Sequence, residues 1–120
     1  MGGCCAVLTG MSRLPAEYRA KVAPANTSYC RRFRIFYRSG YLAEFHLTWV
    51  GADHRGLYIS ILGDSALIPW SSISLCADQL DAQWVHLNVA FMNVRLQPDV
   101  FCAIVEPHMP LHEHLHESLN

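Results

Sequence analysis

The sequence predicts a β-rich α+β domain, in which about seven short strands form a bent antiparallel sheet or partly open barrel. A short N-terminal helix and a C-terminal capping helix flank this sheet. Three observations predict it: short segments in which apolar residues alternate with polar ones, turn residues between those segments, and helix-like patterns at the two ends only. A chain of 120 residues is suited to a single domain.

The first element is a helix from Ser12 to about Val22. Ser12 is a favourable N-cap, and Pro15 lies within the first turn, where its missing N–H costs nothing. Glu17 lies near the positive N-terminal end and Lys21 near the other end, which suits the helix dipole. The segment after it, residues 23–28, is a linker.

A hairpin follows. Residues 29–38 alternate, with Phe33 and Ile35 on one face, and Ser39-Gly40 is the turn. The partner strand runs from Tyr41 to Val50, and residues 51–56 are a loop. The core candidates of this second strand are its large apolar residues: Leu42 or Phe45, Leu47 and Trp49.

The stretch from Gly56 to Leu75 contains the clearest strand signal. Leu57, Ile59 and Ile61 alternate with Tyr58, Ser60 and Leu62, which predicts a strand with Leu57, Ile59 and Ile61 on the core face. A turn at residues 63–65 leads to a strand that Pro69 ends, because proline has no N–H for a ladder. Trp70 is expected to plug one end of the core while its N–H finds an acceptor. Residues 71–75 form a third strand.

Two more strands, at residues 84–89 and 91–96, precede a helix over Val100–Glu106 that Pro98-Asp99 opens. A consecutive antiparallel run closed by a terminal helix is the architecture of a pleckstrin-homology-like barrel. The predicted organisation is an N-terminal tail (1–10), a pleckstrin-homology-like domain (11–107) and a His-rich C-terminal tail (108–120). The helix is expected to bury Val100, Phe101, Ile104 and Val105.

Composition excludes several classes of protein. Charged residues are only 16% and the net charge is −1, so the sequence predicts no nucleic-acid partner. The sequence contains no run of about 18 or more uncharged apolar residues, so it predicts no transmembrane segment. Five scattered cysteines without a C-x-x-C pair argue against a disulfide framework and favour a cytoplasmic location, with membrane association left open. Cys76 and Cys102 have apolar neighbours and are expected in the core.

Three segments carry a resemblance: GMSRLPAEYRA at 10–20, GLYISI at 56–61 and LIPWSSI at 67–73. Together they resemble an uncharacterised family of small bacterial proteins with a "GLYLSVL" strand, a connector and an "IPWSEI" segment, over roughly residues 10 to 100. The sequence departs from that pattern at Met11, where Trp is usual, at Ser72, which replaces an acidic residue, and in a shorter connector. The resemblance implies a bacterial pleckstrin-homology-like domain without an established activity, so no functional residue is carried over.

Arg32, Arg34 and Arg38 fall on one face of the first predicted strand, beside its turn. Arginines in that position are suited to binding an anionic surface such as acidic lipid head groups. The alternative is a solvated face of an edge strand, where charge discourages pairing with another sheet.

The tail carries His112, His114 and His116, with His108 four residues before His112. In a helix His112 and His116 share a face, and in a strand all three do, which would suit zinc. The alternative is a chain end with only weak metal affinity, since metal sites need a rigid frame.

Catalytic signatures are missing from the sequence: it contains no G-x-S-x-G, H-E-x-x-H or Gly-rich phosphate loop. The sequence therefore predicts a non-enzymatic binding module without a cofactor, whose partner is a protein or an acidic lipid surface. A small metal-binding domain or a pocket-bearing, enzyme-like barrel is the alternative.

Overall fold

The structure is a computed structural model that describes residues 14–19, 22–77, 82–90 and 92–110. Nine strands lie within these residues. In chain order they are β1 (Ser28–Cys30), β2 (Phe33–Phe36), β3 (Leu42–Phe45), β4 (Thr48–Asp53), β5 (Gly56–Ile61), β6 (Asp64–Pro69), β7 (Ile73–Leu75), β8 (Val85–Val89) and β9 (Met92–Leu96).

The strands form two antiparallel sheets. Sheet I has the order β1-β4-β5-β6, and sheet II has the order β3-β2-β9-β8-β7. The prediction of a β-rich antiparallel fold is therefore confirmed. The single bent sheet of that prediction is instead two sheets, and no strand pairing in the described residues closes them into a barrel.

The first hairpin is shared by both sheets. Cys30 pairs with Thr48 in sheet I, and three residues further along each strand Phe33 pairs with Phe45 in sheet II. The register is thus unbroken, and the hairpin bends around residues 31–32 and 46–47. The nine strands correspond to the seven predicted segments, since the two strands of this hairpin are each divided by the bend.

The core lies between the inner faces of the two sheets. Leu57, Ile59 and Ile61 are fully buried, which confirms the predicted inner face of β5. Phe33 and Ile35 are equally buried on sheet II. Each such side chain contributes roughly 2 kcal/mol relative to an exposed one.

The inner face of β4 differs from the prediction. Leu47 and Trp49 are 62% and 48% exposed, whereas Thr48 and Val50 are fully buried. The pairing with β5 determines which side chains of β4 face the core, because Thr48 and Val50 lie opposite the buried Ile61 and Ile59. A shift of the register by one residue would move every side chain to the other face of the sheet. The strand also continues through Asp53, where a loop was expected.

The predicted N-terminal helix is described only in part. Its described residues form one 3₁₀ turn, Ala16–Tyr18, after which Arg19 is extended and pairs with Ala66 on the outer edge of β6. The helix therefore does not continue through Arg19, because the backbone bonds the sheet edge instead. Residues 12–13 and 20–21 lie outside the described residues.

The C-terminal helix is confirmed. An α turn (Pro98–Val100), a π-helix (Phe101–Val105) and a 3₁₀ turn (Glu106–His108) follow one another, and Phe101 and Val105 are buried. Asn26 ties it to sheet I, since its Nδ2 donates to the Ile104 carbonyl (3.3 Å) and its Oδ1 accepts from the Ala52 N–H (2.9 Å).

Two further predictions have different outcomes. Trp70 packs against the core between β6 and β7, and its indole N–H donates to the Asp53 carbonyl (2.9 Å), as expected. Cys102, by contrast, is exposed on the outer side of the helix and Cys76 is half-buried. Of the three described cysteines Cys30 is the buried one, and burial raises its pKa to about 11. None of the described helices is long and apolar enough to cross a membrane.

Candidate functional site

Two of the predicted arginines lie together on the outer face of sheet II. Arg34 Nε donates to Glu44 Oε1 at 2.7 Å, and Arg32 Nη2 donates to the same oxygen at 3.2 Å. Glu44 is directly opposite Arg34 on the neighbouring strand β3. The shared carboxylate thus holds both guanidinium groups in place.

A buried tryptophan lies beneath this pair. The Cζ atoms of Arg34 and Arg32 are 4.2 and 5.0 Å from the centroid of the Trp84 ring. Trp84 is only 3% exposed. Arginine stacks well on aromatic faces, so the two side chains both cover the indole and are ordered by it.

The third predicted arginine is elsewhere. Arg38 is exposed in the turn between β2 and β3, after the strand has ended at Phe36. The three residues therefore do not share one strand face. Arg34 is not on an edge strand either, because its strand β2 lies between β3 and β9.

Another arginine, which the sequence did not single out, completes the group. Arg95 of β9 pairs directly with Arg34 of β2. Its Cζ is 5.0 Å from the Phe36 ring centroid, and its Nε donates to Asn93 Oδ1 at 3.3 Å. We call Arg32, Arg34 and Arg95, with Glu44 and Trp84, the arginine face.

The carboxylate of this face is electrostatically stabilised. The hydrogen bond from Arg34 lowers the pKa of Glu44, with a smaller contribution from Arg32, although partial burial opposes both. Glu44 is therefore ionised throughout the neutral range. His46 Nε2 lies 3.6 Å from Glu44 Oε2 at the rim of the face.

The outer face of sheet I carries a different surface. Tyr29 and Trp49 are cross-strand partners, and their ring centroids are 5.3 Å apart. Leu47 and Leu62 are joined by a backbone hydrogen bond of 3.2 Å one step beyond the ladder of β4 and β5. Each of the four is between 39% and 62% exposed. We call these four residues the apolar patch.

Hydroxyl groups border the apolar patch along β5 and β6. Ser60 lies opposite Trp49 and also opposite Ser65. Ser65 Oγ donates to Ser60 Oγ at 3.2 Å and accepts from the Tyr58 hydroxyl at 3.3 Å. The patch is thus apolar with a polar border, which is typical of protein interfaces.

The metal prediction falls on the tail. His112, His114 and His116 lie outside the described residues, and His108 is exposed in the last turn of the C-terminal helix. Within the described residues, no group of three or more His, Cys, Asp or Glu side chains could hold a metal ion.

Comparisons with known protein families, with curated proteins and with solved structures find no match to this chain.

Proposed function

We propose that this chain is a non-enzymatic binding module of pleckstrin-homology-like architecture, and that its partner is a protein that docks on the apolar patch. The half-exposed Trp49–Tyr29 pair beside Leu47 and Leu62 is the observation that carries this proposal.

The arrangement of the chain supports the architecture. Pleckstrin-homology-like domains share three features with this chain. They have seven consecutive antiparallel segments, a bent first hairpin that belongs to both sheets, and a terminal helix, which here buries Phe101 and Val105. Such a fold hosts many functions, so the choice of partner depends on the surface.

The residue types of the patch suit a protein partner. Tryptophan and tyrosine are enriched among the residues that dominate binding energies, because each buries a large rigid surface. Trp49 and Leu47 could have faced the core after a shift of one residue, yet the register exposes both. Contiguous exposed apolar residues with a polar rim typically mark interaction sites.

The position of the charges favours a protein over a membrane. The inner faces of both sheets contribute to one core, so their outer faces point away from each other. A bilayer in contact with the apolar patch on sheet I would therefore leave the cations of the arginine face unused. Along β5 and β6 the patch is bordered by hydroxyl groups, whereas acidic membranes select basic residues.

Site-specific photo-crosslinking in the cells that produce this chain tests the proposal. A photoreactive amino acid at position 47 should give a discrete adduct with a protein. The matched control has the same amino acid at position 88, because Asn88 is exposed on sheet II. Adding Trp49→Ser to the first chain should reduce the adduct roughly tenfold or more, as expected for a central aromatic residue.

Three outcomes would overturn the proposal. They are lipid adducts alone at position 47, the same adducts at positions 47 and 88, and an adduct whose yield Trp49→Ser leaves unchanged. Circular dichroism and thermal melting of purified Trp49→Ser establish that the variant is folded.

A further inference from the structure

The arginine face places like charges side by side. Arg34 and Arg95 are direct cross-strand partners, an arrangement that destabilises a sheet when nothing compensates for it. Arg32 adds a third positive charge, and among the described residues the ion pairs of Arg32 and Arg34 both go to Glu44. Three arginines and one carboxylate leave a surplus of two positive charges. Asp78 and Asp81 lie outside the described residues and are not part of this count.

Much of the hydrogen-bonding capacity of these arginines is unused. Arg34 bonds Glu44 through Nε, and within the described part of the chain its two Nη groups make no hydrogen bond. Within the same residues Arg95 hydrogen-bonds only through Nε, which donates to Asn93. Each guanidinium therefore retains a pair of donors of the kind that binds an oxyanion through two parallel bonds.

The aromatic residues fix where these donors are. Trp84 lies under Arg34 and Arg32, and Phe36 lies under Arg95, at 4.2 to 5.0 Å. The side-chain exposures of Arg34 and Arg32 are only 24% and 41%. Side chains held in this way lose less entropy on binding a ligand than free surface arginines do.

We propose that Arg34 and Arg95, assisted by Arg32, bind a phosphate monoester group. Its double negative charge equals the surplus of the face, and its tetrahedral oxygens can accept from two guanidinium groups on adjacent strands. A carboxylate carries half that charge, and Glu44 already occupies the opposite side of Arg34. The site is independent of the apolar patch, and it replaces Arg38 of the predicted set by Arg95.

The test follows the arginine Nε–Hε signals of the purified full-length chain by NMR. Inorganic phosphate at constant ionic strength should shift the signals of Arg34 and Arg95, while acetate should not. Arg95→Gln should weaken the binding of phosphate roughly tenfold or more. Arg38→Gln removes the same charge from the exposed turn and should bind phosphate as the wild type does.

A vesicle arm distinguishes the source of the phosphate. Vesicles of phosphatidylcholine with phosphatidic acid, whose head group is a phosphate monoester, are compared with vesicles of equal charge made with phosphatidylserine. Sedimentation with the first alone identifies a lipid head group. Binding of inorganic phosphate without sedimentation identifies a phosphate that is not part of a lipid.

The test uses Arg95→Gln and not Arg34→Gln, because Arg34 also covers Trp84, whereas Arg95→Gln leaves the ion pairs with Glu44 intact. Two results would overturn the site. One is the absence of a shift at Arg34 and Arg95 in millimolar phosphate. The other is an equal loss of binding in Arg38→Gln and Arg95→Gln, because that would show a response to net charge alone.

Discussion

The two sheets each carry a tryptophan on the outer face, and the two indoles have opposite environments. Trp49 on sheet I is 48% exposed, whereas Trp84 beside β8 of sheet II is 3% exposed. The neighbours cause the difference. Trp49 packs against Tyr29 with the ring planes tilted by 56°, while Arg32 and Arg34 cover Trp84. An aromatic residue on an outer face is thus available to a partner only where charged side chains do not cover it.

This contrast shows two ways of using an outer face. On sheet II the arginines cover apolar surface with their stems and keep their charged ends toward solvent. On sheet I hydroxyl groups border the aromatic pair on the side of β5 and β6. We therefore propose the protein partner for sheet I and the anionic ligand for sheet II.

Truncation of each tryptophan should give the largest difference between the faces. Trp84→Ala should lower the free energy of unfolding by about 3 to 5 kcal/mol, because it empties a buried site. Trp49→Ala should cost roughly 1 kcal/mol or less, since half of its surface is already in water. Urea denaturation measures both values, with Trp84→Phe and Trp49→Phe as controls. Equal losses in the two alanine variants would contradict the contrast.

The core was more predictable than the surfaces. The sequence correctly predicts that Leu57, Ile59 and Ile61 face the core, because these positions are all large and aliphatic whereas Tyr58 and Ser60 between them are polar. In the strand predicted at 41–50 both phases contain apolar residues, and the size of Leu47 and Trp49 favours the phase that the structure exposes. Only the pairing with β5 decides between them, and that pairing is not visible in the strand itself.

The arginine face shows the same limit. The Arg34–Glu44 pair could have been inferred, since a hairpin that turns at residues 37–41 brings these two positions opposite each other. The position of Arg95 beside Arg34 could not have been inferred, because it depends on the pairing of β9 with β2, which are some sixty residues apart in the chain. Cross-strand neighbours that are distant in sequence leave no local signal.

Acid should weaken the arginine face through Glu44. Its pKa in the folded chain is lowered, mainly by Arg34, so its contribution is complete above the unfolded pKa of about 4.3 and disappears as the pH falls through the folded value. Glu44→Gln should lower stability at pH 7 by about 1 kcal/mol, as for a partly exposed ion pair, and flatten the acid limb of the stability curve. Urea denaturation between pH 3 and 7 measures this.

Asp53 provides the matched case on sheet I, at the end of β4. Its hydrogen bond from Arg55 lowers the pKa of this carboxyl group as well, so Asp53→Asn should change the acid limb in the same direction. Glu44 accepts from two arginine side chains, whereas Asp53 accepts from the backbone N–H and the guanidinium of Arg55 alone, so each variant should flatten the acid limb. An acid limb in Glu44→Gln as steep as that of the wild type would contradict the assigned role of Glu44.

The smallest effects should come from two turns that hold non-glycine residues at positive φ. Leu62 follows β5 with φ 52°, and Ala90 follows β8 with φ 55°. Glycine adopts this conformation without the steric cost that a Cβ imposes, so Leu62→Gly and Ala90→Gly should each raise the free energy of unfolding by roughly 0.5 kcal/mol. Thermal denaturation measures both. Only Leu62→Gly should also weaken the photo-crosslink from position 47, because Leu62 belongs to the apolar patch. A loss of stability in Leu62→Gly would mean that this leucine is retained for folding, and it would remove Leu62 from the argument for a docking surface.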